Sequence, residues 1–372
     1  MKIEIHPLFD YLLKTTGESP EAIVGFSLSR SPKLKDFIKD LDPDLSLDWN
    51  NRSFQGWPEL REHVLRQANL DGRLSTDNVL ITAGAAEANY LALRQLVDAG
   101  AEIITETPGW PQAAVLAKGI GAKTRIIKRR NEDWAFPLED LAAAINSRTA
   151  MIFLSNPNNP TGRMLCEKEL REIVALAQPH GTYVVIDEVY AGLEWTGTRA
   201  PSIAGLYGRG ITTGSVSKAL GLQGLRTGWM ISPDCQVIRD ALILRENSSE
   251  IMNILGEAIA EIALRPLRYE TAMAVARAEG LANLEQLDAF IESDCDLTWT
   301  RPEAGLIGLA CLPDGIDSDD LCVKLLRSPY RTFLLPGSVY DLPQHIRVGV
   351  GGGPDVKLTE GLQRLSACLK TM

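Results

Sequence analysis

The sequence predicts an α/β protein: a mostly parallel central sheet with helices on both faces, followed by a smaller α+β unit. Three observations predict it. Short β-branched runs alternate with helical patterns through the middle of the chain. Most of those runs are apolar without regular alternation, as strands covered on both faces are. The chain also has 372 residues, 45% of them apolar, enough for two packed units.

Residues 1–45 hold two helical patterns, HPLFDYLLKT and SPKLKDFIKDL, and are read as a segment joining the smaller unit. The large unit is read over 46–264. Its alternation runs NVLITAG (strand), AEANYLALRQLVDAG (helix), EIITET (strand), QAAVLAKGIG (helix) and KTRIIK (strand). Then come TAMIFLSN (strand), CEKELREIVALAQPHG (helix), TYVVIDEV (strand) and GITTGSVSK (strand). One long helical stretch, VIRDALILRENSSEIMNILGEAIAEIAL, closes the unit. The smaller unit, 265–372, takes its strands from LTWTRPEAGLIGLACL, YRTFLLPGSV and HIRVGVGGG. In open parallel sheets ligands bind beyond the carboxyl ends of the strands. Gly84, Trp110, Asn159, Asp187 and Lys218 fall just there.

Composition narrows the function. A net charge of −10 and a pI near 5.1 argue against a nucleic-acid surface, which would be basic. No apolar run has the length of a membrane span, and MKIEIHPLFDYLL lacks the pattern of a signal peptide, so a cytoplasmic location and no membrane partner are expected. Six scattered cysteines and four separated histidines show no metal-ligand spacing, so neither a metal site nor a disulfide framework is expected. GVGGGP, at 349–354, lacks the subsequent βαβ unit that dinucleotide binding requires. Hard chemistry would need an organic cofactor.

The residues that could carry it lie at strand ends. Asp187 closes the buried run TYVVID, where an unpaired carboxylate is costly. It is either the cap of a next helix or the partner of a cationic ring nitrogen, and Tyr190 can reach the same ligand. SNPNNPTG holds the Asn159 amide on a stiff turn. TAGAAEAN makes a tight strand-to-helix turn that is a plain connection or an anion site on the Ala85 and Ala86 N–H groups. Trp110 is core, or a flat face for a stacked ring. In SVSKALGLQGLRTG the charges are Lys218 and Arg226 alone, among small and apolar residues. Desolvation favours a neutral amine at Lys218, a condition for forming a Schiff base with an aldehyde. The planar fork of Arg226 suits a phosphate.

Taken in order, Asn159-Pro160-Thr161-Gly162, Asp187 with Tyr190, Ser215-Val216-Ser217-Lys218 and Arg226-Thr227-Gly228 resemble the class I/II aminotransferases of pyridoxal-phosphate fold type I. The resemblance runs from about residue 45 to 365. It implies pyridoxal 5′-phosphate as cofactor, an L-amino acid and a 2-oxo acid as substrates, and a homodimer sharing its active sites. It implies that Lys218 forms the Schiff base and shuttles the proton, and that Asp187 pairs with the pyridine nitrogen. Tyr190 and Asn159 would bond the ring hydroxyl, and Trp110 would stack on the ring. Ala85, Ala86, Ser215, Ser217 and Arg226 would surround the phosphate, and Arg347, in HIRVGVG, would clamp the substrate carboxylate with Asn159 beside it.

Three departures stand out. The family commonly places a tyrosine five residues before the glycine that is Gly56 here, to reach the neighbouring subunit's phosphate; this chain has Asn51, followed by Arg52. GFSLSRSP replaces the usual glycine-rich loop near the amino terminus, and Ala86 stands where a hydroxyl residue is frequent. The amino terminus also resembles the capreomycidine-synthase-like branch, which implies an alternative reaction: cyclisation of a hydroxylated arginine-like amino acid by elimination and addition.

Overall fold

The computed structural model describes residues 3–48, 50, 52–195, 199, 201–293 and 297–372. Asn51 lies outside the described residues. In chain order the elements are α1 (Pro7–Lys14), β1 (Ala22–Ile23), α2 (Pro58–Gln67), β2 (Val79–Thr82), α3 (Ala85–Leu96), β3 (Glu102–Thr107), α4 (Gln112–Ile120), β4 (Lys123–Lys128), α5 (Leu138–Ala144), β5 (Thr149–Ser155), α6 (Glu167–Ala177) and β6 (Tyr183–Asp187). Next come β7 (Gly210–Ser215), β8 (Gly228–Ile231), α7 (Cys235–Arg245), α8 (Ile254–Leu264), α9 (Pro266–Ser293), β9 (Thr298–Trp299), β10 (Ile307–Cys311), α10 (Ser318–Leu326), β11 (Thr332–Phe333), β12 (Leu335–Pro336), β13 (His345–Gly349) and α11 (Leu358–Leu369).

Seven strands form the large sheet in the order β2-β8-β7-β6-β5-β3-β4. All neighbours are parallel except at β8, which runs antiparallel to both β2 and β7. Side chains of successive residues point to opposite faces, and β5 shows why its run needs no polar alternation. Met151 and Phe153 join a core with Leu91, Val185 and Val237, from α3, β6 and α7. Ile152 and Leu154 join another with Leu170 and Ile173 of α6. The later chain adds a smaller antiparallel sheet, β12-β13-β10-β9. The amino-terminal segment pairs with the late chain: β1 lies parallel to β11, placing Ala22 beside Thr332.

Two expected elements differ. SPKLKDFIKDL forms only a 3-10 turn, Leu34–Asp36. Phe37 is buried, but its apolar neighbours Leu34 and Ile38 stay exposed, so the buried face is too narrow to extend the helix. The long stretch from 232 breaks into α7 and α8. Its polar insert ENSSE includes Glu250 at φ +54°, and Asn253 starts α8 afresh by accepting the Gly256 N–H at 3.2 Å. Among the described residues no helix is long and apolar enough to cross a membrane.

Gly56 enters α2 at φ +108°, and a Cβ there would lie 2.3 Å from Ile81 Cγ1. Beside it the buried Glu257 carboxylate accepts the Trp57 N–H at 3.1 Å. Burial pushes the Glu257 carboxyl up to about 7, against the pull of Arg245, Arg52 and Arg61. The unfolded group titrates near its ordinary 4.5. The folded state therefore binds the extra proton between these values, and stability falls as pH rises through the window. We expect the wild type to lose roughly 1–3 kcal/mol more than Glu257→Gln between pH 4.5 and 7.5, read as a steeper fall of melting temperature. Parallel curves would contradict this.

Candidate active site

A cavity of about 250 Å³ opens where β5, β6 and β7 end in Ser155, Asp187 and Ser215, the first and last of these strands flanking Asp187 in the sheet. Its lining includes Ala85, Ala86, Asn89, Trp110, Asn159, Tyr190, Ser217, Lys218 and Arg226. Of the cofactor and substrate residues that the family resemblance implies within one chain, Arg347 alone stands outside this lining. It is linked to it through one hydroxyl.

Asp187 is 5% exposed. Its Oδ2 accepts from Asn89 Nδ2 at 2.9 Å, and its Oδ1 accepts the Val189 N–H at 3.2 Å. Burial raises its pKa above the usual aspartate value, while the two donors and the Lys218 charge pull the other way. A carboxylate so placed gains most from one more cation against it. Tyr190 is fully buried, and its hydroxyl has no hydrogen-bond partner among the described residues. Such an orphaned polar group is unusual in a folded protein. Lys218 lies across from it, Nζ 5.7 Å from the centre of the tyrosine ring. The Lys218 backbone is pinned by the Ser29 N–H, which donates to its carbonyl at 3.0 Å.

The opposite end of the cavity is built for close approach. Gly84 precedes α3 at φ +83°, and a Cβ there would sit 2.5 Å from Arg226 Nη2. A Cβ on Gly228 would lie 2.5 Å from the Gly84 carbonyl carbon and 2.6 Å from the Ala85 nitrogen. The absence of both side chains leaves the first N–H groups of α3 open, the usual anion site of a helix N-terminus. Arg226 is exposed, at φ +51°. It donates to the carbonyls of Gln223 at 3.1 Å and Ala83 at 3.3 Å, so its fork overhangs this turn. Ser215 Oγ accepts the Ser217 N–H at 3.3 Å.

On the wall formed by β13 and its neighbours, Arg347 Nη1 donates to the Tyr340 hydroxyl at 2.9 Å. That hydroxyl donates to Asn159 Oδ1 at 3.3 Å. Arg347 Nη2 contacts the Gly25 carbonyl and Ser27 Oγ, at 3.2 and 3.4 Å, and its Nε is buried without a partner among the described residues. Because Asn159 accepts through Oδ1, its Nδ2 remains a donor. Trp110 meets His6 edge-on, ring centres 5.2 Å apart. Arg52 is turned onto its own loop, donating to the Asp48 and Ser46 carbonyls at 3.1 and 2.8 Å and lying over Trp57.

Residues 51–365 match the family Aminotransferase class I and II. The chain belongs to this family. It is 33% identical over 259 residues to an aspartate aminotransferase of Musicola paradisiaca, a match covering 67% of this chain and 60% of that enzyme. The chain thus spans less than two thirds of that relative's length. It is 27% identical to the capreomycidine synthase of Streptomyces vinaceus over 90% of this chain and 86% of that one. Its fold superposes with TM-score 0.90 on a PLP-dependent aminotransferase from Streptococcus suis, 26% identical, covering 100% and 99% of the two chains. The family works with pyridoxal 5′-phosphate, and the site fits it. An unpartnered phenol, a buried carboxylate, a lysine and a side-chain-free anion turn face one cavity.

Four polar residues of this site escape sequence reading. Asn89, Gln112 and Thr213 form a hydrogen-bonded chain to Asp187 and Trp110, and Tyr340 stands between Asn159 and Arg347. Asn89 alone leaves a signal: it is an asparagine within α3 that is 1% exposed, where helices rarely place that residue.

Proposed function

We propose that the protein is a pyridoxal-phosphate-dependent aminotransferase that moves an amino group from an L-amino acid to a 2-oxo acid. The observation that carries this reading is the convergence of Lys218, Asp187 and the unpartnered Tyr190 hydroxyl on one cavity. When bound, the cofactor supplies an electron sink for the pair left when the substrate Cα gives up its proton. Asp187 holds the ring nitrogen protonated through its negative charge. Tyr190 and the Asn159 amide bond the ring hydroxyl, and Trp110 covers the ring face. The Ala85 and Ala86 N–H groups, Ser215, Ser217 and Arg226 hold the phosphate. Arg347 takes the substrate carboxylate, orienting Cα toward Lys218. Lys218 would hold the cofactor in the cavity and move the proton at the substrate Cα.

Incubation of the loaded enzyme with single L-amino acids tests the reaction. We expect a 2-oxo acid product and conversion of the cofactor to its amine form, reversed by a second 2-oxo acid. Release of a side-chain leaving group without that conversion would instead favour elimination and cyclisation, the reading suggested by the long match to capreomycidine synthase. Arg226→Ala is expected to weaken cofactor binding roughly 10–100-fold, the value of one charged hydrogen-bond partner, in a fluorescence titration of the apoprotein. An unchanged dissociation constant would remove Arg226 from the phosphate site.

We also propose a C2 homodimer, the commonest closed assembly. Leu34, Ile38, Leu267 and Val275 are exposed, and the last two line a hollow of about 670 Å³ between residues 29–40 and α9. An apolar rim of this kind marks an interaction surface. In the dimer Arg52 would leave its own loop carbonyls for the neighbour's phosphate. Sedimentation should give twice the chain mass, and an active species of single mass would contradict this.

A further inference from the structure

In the cavity wall two carboxamides, Asn89 and Gln112, link three of its parts. Asn89 Nδ2 donates to Asp187 Oδ2 at 2.9 Å and faces Gln112 Oε1 at 3.2 Å. The other end of the Asn89 amide is fixed, because Thr213 Oγ1 donates to its Oδ1 at 2.6 Å. Gln112 Oε1 also accepts from Trp110 Nε1 at 3.2 Å, and its Nε2 donates to the Ala86 carbonyl at 2.8 Å. These contacts leave neither amide free to flip. Turning Asn89 over would set its oxygen against a carboxylate, and turning Gln112 over would set its oxygen against a carbonyl.

We propose that Asn89 and Gln112 are positioning residues of the cofactor site. As a pair they hold the ring carboxylate Asp187, the stacking indole Trp110 and the phosphate turn at Ala86 in one fixed arrangement. The inference rests on the reading of this cavity as a pyridoxal-phosphate site. The two residues divide the work. Asn89 gives one oxygen of Asp187 a donor, which favours the carboxylate's charged form despite its burial. Gln112 sets the angle of the indole relative to the phosphate turn, so the ring and the phosphate of one ligand meet surfaces already in register.

The test uses the full chain loaded with pyridoxal 5′-phosphate, with cofactor affinity from titration of the apoprotein, the pH dependence of the bound cofactor's absorption and its induced circular dichroism. Asn89→Leu is expected to weaken affinity at least tenfold and to displace the spectral pH profile. Asn89→Asp, which sets a second carboxylate against Asp187, is expected to displace the profile without a large change of side-chain size. Gln112→Met is expected to keep the wild-type pH profile while changing the induced dichroism and weakening affinity threefold or more. Folded Asn89 variants with the wild-type profile would overturn the role of Asn89, even with lowered melting temperatures, because a merely structural residue behaves so. Should neither Asn89 variant fold, Gln112→Met decides: wild-type affinity and dichroism would overturn the proposal. Failure of the wild type itself to bind the cofactor would instead overturn the reading beneath it.

Discussion

Lys218→Ala is expected to reduce turnover by roughly 10³-fold or more while leaving the fold intact. A positioned acid–base group contributes on the order of 10²–10⁴-fold by proton transfer alone, and on the proposed reading the same amine also holds the cofactor. The loss should be confined to chemistry. Lys218 is only half-buried, its neighbours Ser217 and Ala219 are small, and its backbone link to Ser29 survives truncation. The variant should keep the wild-type melting temperature as apoprotein and bind the cofactor reversibly through the phosphate turn. Product formation in steady state checks it, and a rate within tenfold of wild type would remove Lys218 from the chemistry.

Asp187→Asn is expected to lower both cofactor affinity and turnover by roughly 10²–10³-fold, the usual consequence of removing one partner of a buried charge pair. Asparagine preserves size and can still accept one of the two donors, Asn89 or Val189, which now bond separate oxygens, so it removes the charge and one acceptor. Cofactor affinity separates the two roles this residue could have. If Asp187 only caps the turn at Val189, losing its charge should do little to cofactor binding. If it exists to face a cationic ring, the apoprotein carries a buried carboxyl that two hydrogen bonds and the Lys218 charge offset only in part, and the variant should stay close to wild-type apoprotein stability while losing cofactor affinity. Full activity in Asp187→Asn would contradict the electrostatic role.

Most of the large sheet was legible because its strands obey a local rule: runs such as TAMIFLSN are apolar on both faces and end at turn formers. β8 was not read, since its GWMI is four residues inside a stretch of small residues and it enters the sheet antiparallel between β2 and β7. The break between α7 and α8 was hidden by apolar periodicity on both sides of ENSSE, although the Asn253 cap was there to see. In the site, residues carried by strand-end motifs could be found one segment at a time. Those that act through space could not. Asn89 meets Asp187 across 98 positions and Thr213 across 124, and Tyr340 meets Asn159 across 181. Their role exists only once the sheet brings separate strand ends together.

The central claim is that Lys218 carries the cofactor. The most direct measurement is borohydride reduction of the protein loaded with pyridoxal 5′-phosphate, followed by peptide mass spectrometry. A pyridoxyl phosphate adduct on Lys218, absent when an amino acid substrate is added before reduction, is the predicted result. An adduct on another lysine, or one on Lys218 that substrate does not displace, would contradict it.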